Sequence, residues 1–169
     1  MQGFKCLLFA VGLISIGSCV KRVEEKLVYD NVFLQMDTVA VYQTAAEKVK
    51  QKTALQYLSI MYADFFNQAI PSNELNRLDE LSLAFGDKGL INEMYLRRYL
   101  VQPGVQLPAE EEMRSDVPNF INETYIRFYL RNPTAYEFRF LKDQIENDEG
   151  LTPSLIFTSF ALSNEYYFY

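Results

Sequence analysis

Twenty-two carboxylates and no histidine define the chemistry open to this 169-residue chain. Without imidazole there is no His-dependent triad, no histidine-built zinc site and no histidine-ligated haem. Carboxylate pairs remain. The reaction they serve best is glycoside hydrolysis, in which one acid protonates the leaving oxygen while a second carboxylate acts across the bond. Glu74 and Glu137 are the conspicuous acids, yet each reads as first-turn helix, where capping and the helix dipole account for it. Glu110-Glu111-Glu112 reads as a solvated run. The seven glycines form neither G-x-G-x-x-G nor G-x-x-x-x-G-K, so no phosphate loop is expected. A net charge of −6 without a basic patch argues against nucleic acid as a partner.

The two thiols, Cys6 and Cys19, both lie before residue 20. Met1 to Lys5 is short and positive, Cys6 to Ile16 is apolar apart from Gly12 and Ser15, and Lys21-Arg22 closes the run. That layout is a secretory signal; a spanning helix needs about 20 apolar residues. Ile16-Gly17-Ser18-Cys19 resembles the lipobox of bacterial lipoproteins. The resemblance implies cleavage before Cys19 by a peptidase that recognises Ile16, Gly17 and Ser18, then acylation of the Cys19 thiol and new amine. The alternative is an ordinary secretory signal with a chance cysteine. Two or three acyl chains anchor stably where one does not. Val20 departs from the aspartate of inner-membrane retention signals, and Glu24-Glu25 faintly resembles the acidic export tags of Bacteroidota lipoproteins. The implied location is the bacterial cell envelope, on the outer membrane, at its periplasmic or its surface face. The sequence thus divides into a signal peptide (1–18) and a lipidated cysteine with tether (19–37). The mature chain keeps 15 cations against 22 acids, a charge of −7, and no thiol beyond Cys19 for a disulfide or metal. No cofactor is expected other than the lipid on Cys19.

Periodicity predicts an all-α fold of two tandem three-helix units, 38–103 and 119–169, joined by an acidic, proline-containing connector at 104–118. From Thr38, with Asp37 or Thr38 as cap, Val39, Tyr42, Ala46 and Val49 recur at helical steps. Thr53-Ala54-Leu55-Gln56 matches a capping box, followed by Leu55, Leu58, Met61, Tyr62, Phe65 and Phe66 on one face up to Pro71. A helix from Ser72 turns Leu75, Leu78 and Leu81 inward, and Gly86 to Gly89 breaks it. Leu90 to Leu100 places Ile91, Met94, Tyr95 and Tyr99 together. In the second unit Phe120, Ile121, Thr124, Tyr125 and Phe128 form a stripe that Asn132-Pro133 ends. Thr134 to Glu137 is another capping box, leading to Phe138, Leu141 and Ile145. Thr152-Pro153 opens a last helix with Leu155, Ile156, Phe160 and Leu162 inward, ending near Glu165.

Tyr62, Pro71, Glu74, Leu75, Leu78 and Gly89 are matched 61 to 63 positions later by Tyr125, Pro133, Glu137, Phe138, Leu141 and Gly150. Either a unit of about 60 residues is duplicated, or two hairpins share their punctuation by chance. Phe120-x4-Tyr125-x4-Leu130-Arg131-Asn132-Pro133-x3-Glu137, ending in Ser163-Asn164-Glu165-Tyr166, resembles the helical domain of phycobilisome linkers and related helical modules of bacterial surface proteins. The resemblance covers about 50 residues and implies an all-α connector between other proteins; nothing in the chain points to bilin binding.

The remaining excess is aromatic: 13 Phe and 12 Tyr, with no Trp. Four consecutive aromatics, Tyr166-Tyr167-Phe168-Tyr169, cannot all face one core, and exposed tyrosine makes good interface. They are the candidate interface residues, the competing account being that they fold back to close the second unit. The functional expectation is a lipid-anchored, non-catalytic accessory or scaffold subunit bound to envelope or outer-membrane proteins, with no metal and no nucleic acid. The alternative is a carboxylate-dependent cell-wall glycoside hydrolase, which a carboxylate-lined cleft would favour.

Overall fold

The computed structural model describes residues 41–169. The signal peptide, the lipobox residues Ile16, Gly17 and Ser18, the acylated Cys19 and the tether to residue 37 lie outside the described residues. Within them the fold is all-α, with seven helices: α1 Ala54–Phe66, α2 Ser72–Ala84, α3 Lys88–Leu100, α4 Glu110–Ser115, α5 Val117–Tyr129, α6 Ala135–Asn147 and α7 Pro153–Ala161. Their starts follow local chemistry. Thr53 and Gln56 exchange side-chain and backbone hydrogen bonds of 3.2 and 2.9 Å, and Thr134 and Glu137 do the same at 3.3 and 2.8 Å. Asp87, Asp116 and Thr152 each accept from an N–H of the first turn. α1 and α5 end alike, on left-handed residues Asn67 (φ 52°) and Leu130 (φ 53°).

α1 packs on α2 and α3, while α5 packs on α6, α7, α4 and the short 3-10 turn Glu165–Tyr167. Aromatic rings knit these groups together. Phe65 of α1 meets Phe128 and Phe157, and Tyr57 lies edge-on to Tyr166 and stacked on Tyr167. Each large apolar side chain buried in this way contributes about 1.5–3 kcal/mol. One continuous core runs through residues of both expected units, so they are not separate folding bodies.

Several expectations are corrected by packing. Residues 41–52 are not a helix but an extended strap interrupted by a 3-10 turn at Ala45–Glu47. Tyr42 N–H donates to Leu130 O at 2.7 Å, and Lys50 exchanges backbone hydrogen bonds of 3.0 and 2.9 Å with Tyr169. The strap spends its backbone groups on α5's end and on the tail rather than on itself, leaving Val49 exposed. The connector is partly structured: α4 interrupts it, Met113 is fully buried, and α5 begins at Val117 under the Asp116 cap. Leu55, Leu81, Met94 and Leu155 face solvent because each lies at the edge of its helix's apolar arc. The last helix stops at Ala161, four residues short of Glu165. Ser163 Oγ there bonds to Phe160 O, and the chain tightens into the Glu165–Tyr167 turn.

Candidate functional site

The titratable groups converge where the strap, α5 and the C-terminal turn meet. Arg131, just past the left-handed Leu130, is only 3% exposed. Its Nη1 and Nη2 donate to Glu137 at 2.9 and 2.7 Å. Nε and Nη2 donate to Glu165 at 2.8 Å each, and Nη1 reaches Asn132 O. All five guanidinium hydrogens are thereby used. The rings of Tyr125 and Tyr129 lie 5.2 and 5.5 Å from its carbon. Lys48 of the strap donates to the same Glu165 at 2.8 Å.

These bonds set the charges. Hydrogen bonds from Arg131 hold the Glu137 carboxyl down at about 2. Burial works against Glu165, yet Arg131 and Lys48 together keep it below the ordinary carboxylate range. Burial lowers Lys48 in spite of its ion pair. The cluster is a staple joining three distant stretches of chain: strap, α6 and tail.

A second cluster lies beside it. Tyr166, fully buried, donates its hydroxyl to Asp64 Oδ2 of α1 at 2.5 Å. Lys52 Nζ donates to the Tyr166 carbonyl and sits 4.0 Å from the Tyr166 ring centre. Burial raises Asp64 to about 6 against the opposing pull of Tyr166, Lys52 and Arg127. Burial also lowers Lys52 to about 8. Arg127 stands over the Phe157 ring at 5.1 Å and makes no hydrogen bond or ion pair among the described residues. Between strap, α1, α5 and the tail, Lys52, Asp64 and Arg127 help line a cavity of about 80 Å³.

Arg127 also borders a larger groove of about 520 Å³ between α4 and α5. Glu112, Asp116 and Glu123 line it, over a floor that includes Phe120 and Phe157. Asp116 is occupied in capping α5, and Glu123 accepts from Asn119 Nδ2 at 3.0 Å. All three carboxylates are exposed.

The candidate interface residues divide. Tyr166 is core, and Tyr167 is half-buried, stacked on Tyr57 with its hydroxyl accepting from Asn92 Nδ2 at 3.0 Å. Phe168 and Tyr169 lie along the strap and keep some exposure. The tail therefore closes on its own chain, and Tyr166 leaves the candidate interface. Glu74, unlike Glu137, has a buried oxygen without a hydrogen bond, with Arg77 and Arg98 at 3.7 and 3.8 Å. Sequence reasoning did not single out Arg131, Lys48, Lys52, Asp64 or Arg127 as site residues. Only Arg131 carried a local signal, its spacing of six from Glu137 across a proline.

Among the described residues no group of three or more Cys, Asp or Glu side chains is arranged to hold a metal ion, and no helix is long and apolar enough to cross a membrane. Comparison with protein-family models, with characterised proteins and with solved structures gives no match.

Proposed function

We propose that the chain is an outer-membrane lipoprotein whose helical domain, tethered through a lipid on Cys19, serves as a non-catalytic accessory or scaffold subunit of a cell-envelope assembly. The lipobox-like Ile16-Gly17-Ser18-Cys19 behind Lys5 supports the anchor. The observation that carries the non-catalytic reading is the commitment of the environmentally shifted acids. Glu137 and Glu165 are clamped by Arg131, and Asp64 is held by Tyr166. Acids engaged in this way hold the chain together instead of meeting a substrate. Replacing Cys19 with Ala tests the anchor: palmitate incorporation should vanish and the protein should leave the membrane pellet. A Cys19→Ala protein that still sediments after high-salt washing overturns it.

The groove bearing Glu112, Asp116 and Glu123 favours a second reading, the carboxylate-dependent wall hydrolase. A general acid in such an enzyme draws its proton affinity from a desolvated setting, whereas these three side chains are solvated. Asp64 is desolvated, but its cavity is far below the roughly 300–1,000 Å³ of small-molecule sites and admits no sugar ring. Measured release of reducing ends from purified wall polysaccharide, lost in both Glu112→Gln and Glu123→Gln, would establish the hydrolase and displace the scaffold.

A further inference from the structure

The strap enters the fold at the corner from which α6 departs. Tyr42 donates its N–H to Leu130 O and runs parallel to Arg131, and α6 starts close behind it at Ala135. The stretch between Cys19 and Val41 spans at most about 80 Å and ends at this corner. The first two turns of α6 carry the most exposed aromatic rings among the described residues, Tyr136 at 74% and Phe140 at 55%. Standing at i and i+4, they share the helix face opposite Phe138, Leu141 and Ile145, which pack toward the core. Their rings lie 6.3 Å apart and within 16° of parallel, so they present one joined apolar surface instead of two scattered side chains. Arg139 is exposed beside them. Glu137, in the same turn, is held by Arg131, and the exposed acids Asp143 and Glu146 fall in later turns.

We propose that the first half of α6, through Tyr136 and Phe140, rests on the interfacial layer of the membrane to which Cys19 is tethered. The proposal rests on the lipid-anchor reading and adds the face that the domain turns to the bilayer. Aromatic side chains favour that layer, the ring body entering the acyl boundary while the tyrosine hydroxyl stays among the headgroups. Arg139 extends its guanidinium from the same face toward lipid phosphate. Tethering holds the domain near its own membrane, so a contact too weak to retain a free domain is still populated. A parallel pair of rings also suits a sugar ring of a wall glycan. The arrival of the strap beside α6 favours the bilayer.

The chain has no cysteine after Cys19, so a nitroxide at Ala135→Cys, exposed and next to Tyr136, reports from this face with both rings intact. The full lipidated chain is bound to sucrose-loaded vesicles of phosphatidylethanolamine and phosphatidylglycerol. Collisions of the label with oxygen and with an aqueous nickel chelate are then measured by electron paramagnetic resonance. The oxygen-to-nickel ratio should rise several-fold on the vesicles. The same label at Leu83→Cys on α2, a position as exposed as Tyr136, should stay in water. Tyr136→Gln with Phe140→Gln should abolish the rise while the protein still sediments with the vesicles and melts as the parent does. The proposal is overturned, with the anchor left standing, if the label stays in water on sedimented vesicles, if the rise survives the double substitution, or if Leu83→Cys shows it equally. A label already shielded before vesicles are added assigns the face to residues 1–40 and overturns it too. So does a rise produced by soluble wall glycan strands in place of vesicles, which assigns the face to sugar. A chain that does not sediment removes the anchor reading, and the proposal with it.

Discussion

Two stretches of this molecule begin with the same layout and end differently. α1 leads through left-handed Asn67 to α2 and α3, and α5 leads through left-handed Leu130 to α6 and α7. α1, α2, α5 and α6 are each 13 residues long, and Asn67 and Leu130 are 63 positions apart. After Asn67 the chain carries exposed Gln68, and Glu74 finds only distant arginines. After Leu130 it carries Arg131, which clamps Glu137, Glu165 and, through Glu165, the strap. The difference teaches that matching punctuation specifies where helices start and stop, whereas one buried cation decides which of two similar corners becomes the molecule's fastening point. Asn tolerates the left-handed conformation through its short polar side chain; Leu does not, and the bonds around Arg131 offset that strain of roughly 1–2 kcal/mol.

The comparison can be broken most severely at the tail, which closes the second region and has no counterpart in the first. Tyr166→Ala removes a fully buried ring packed on Tyr57 and Phe128 and leaves Asp64 without its donor. Urea denaturation should show a loss of about 3–5 kcal/mol, against less than about 1 kcal/mol for the exposed Phe168→Ala. Equal losses would mean that the tail is not anchored by Tyr166.

Arg131→Met should follow, at about 3 kcal/mol, because it strands Glu137 and leaves Glu165 with Lys48 alone in a partly buried site. The same change at the corresponding corner, Gln68→Met, should fall within roughly 0.5 kcal/mol of the parent. If the two substitutions cost the same, the fastening role assigned to Arg131 is wrong.

Acid should act on the second corner selectively. Glu137 is depressed in the folded state, so its contribution is present above its ordinary value and is lost as pH falls from 4.5 toward about 2. Solvent screening limits the effect to about 1 kcal/mol. Asp64 runs the other way: its raised value means stability declines as pH rises from 3.8 to about 6. Stability measured across pH 2–6.5 should therefore peak where the two windows overlap, between 3.8 and 4.5. Arg131→Met should flatten the acid limb only; a limb that survives in that variant assigns it to other carboxylates.

The smallest effect sharpens the comparison at the caps. Thr53→Ala and Thr134→Ala each remove a capping box and should cost about 1 kcal/mol. Thr134 additionally donates to Glu137 Oε2 at 2.8 Å and so orients the acid that Arg131 grips. Its loss should exceed that of Thr53→Ala by about 0.5 kcal/mol in thermal unfolding. The reverse order would uncouple the cap from the clamp.

Taken by itself, the sequence determined the helical class, both capping boxes, the Thr152-Pro153 start and the buried stripe from Phe120 to Phe128, because each depends on residues within a turn or two of one another. The same local logic misread residues 41–52: Tyr42, Ala46 and Val49 keep a helical rhythm, but the backbone groups of Tyr42 and Lys50 find partners at Leu130 and Tyr169, which no periodicity reports. Tyr166 to Tyr169 cannot share one helical face, which implies that some of them are exposed without saying which. A tight turn and an extended end bury them by turns instead, Tyr166 inward and Phe168 outward. Arg131 and Lys52 were legible only as cations. That one grips two acids and the other faces a cavity follows from contacts spanning 34 to 117 positions, as in Arg131–Glu165 and Lys48–Glu165. Local hydrogen bonding places the helices, and the tertiary fold alone decides which charges leave water and which find a partner.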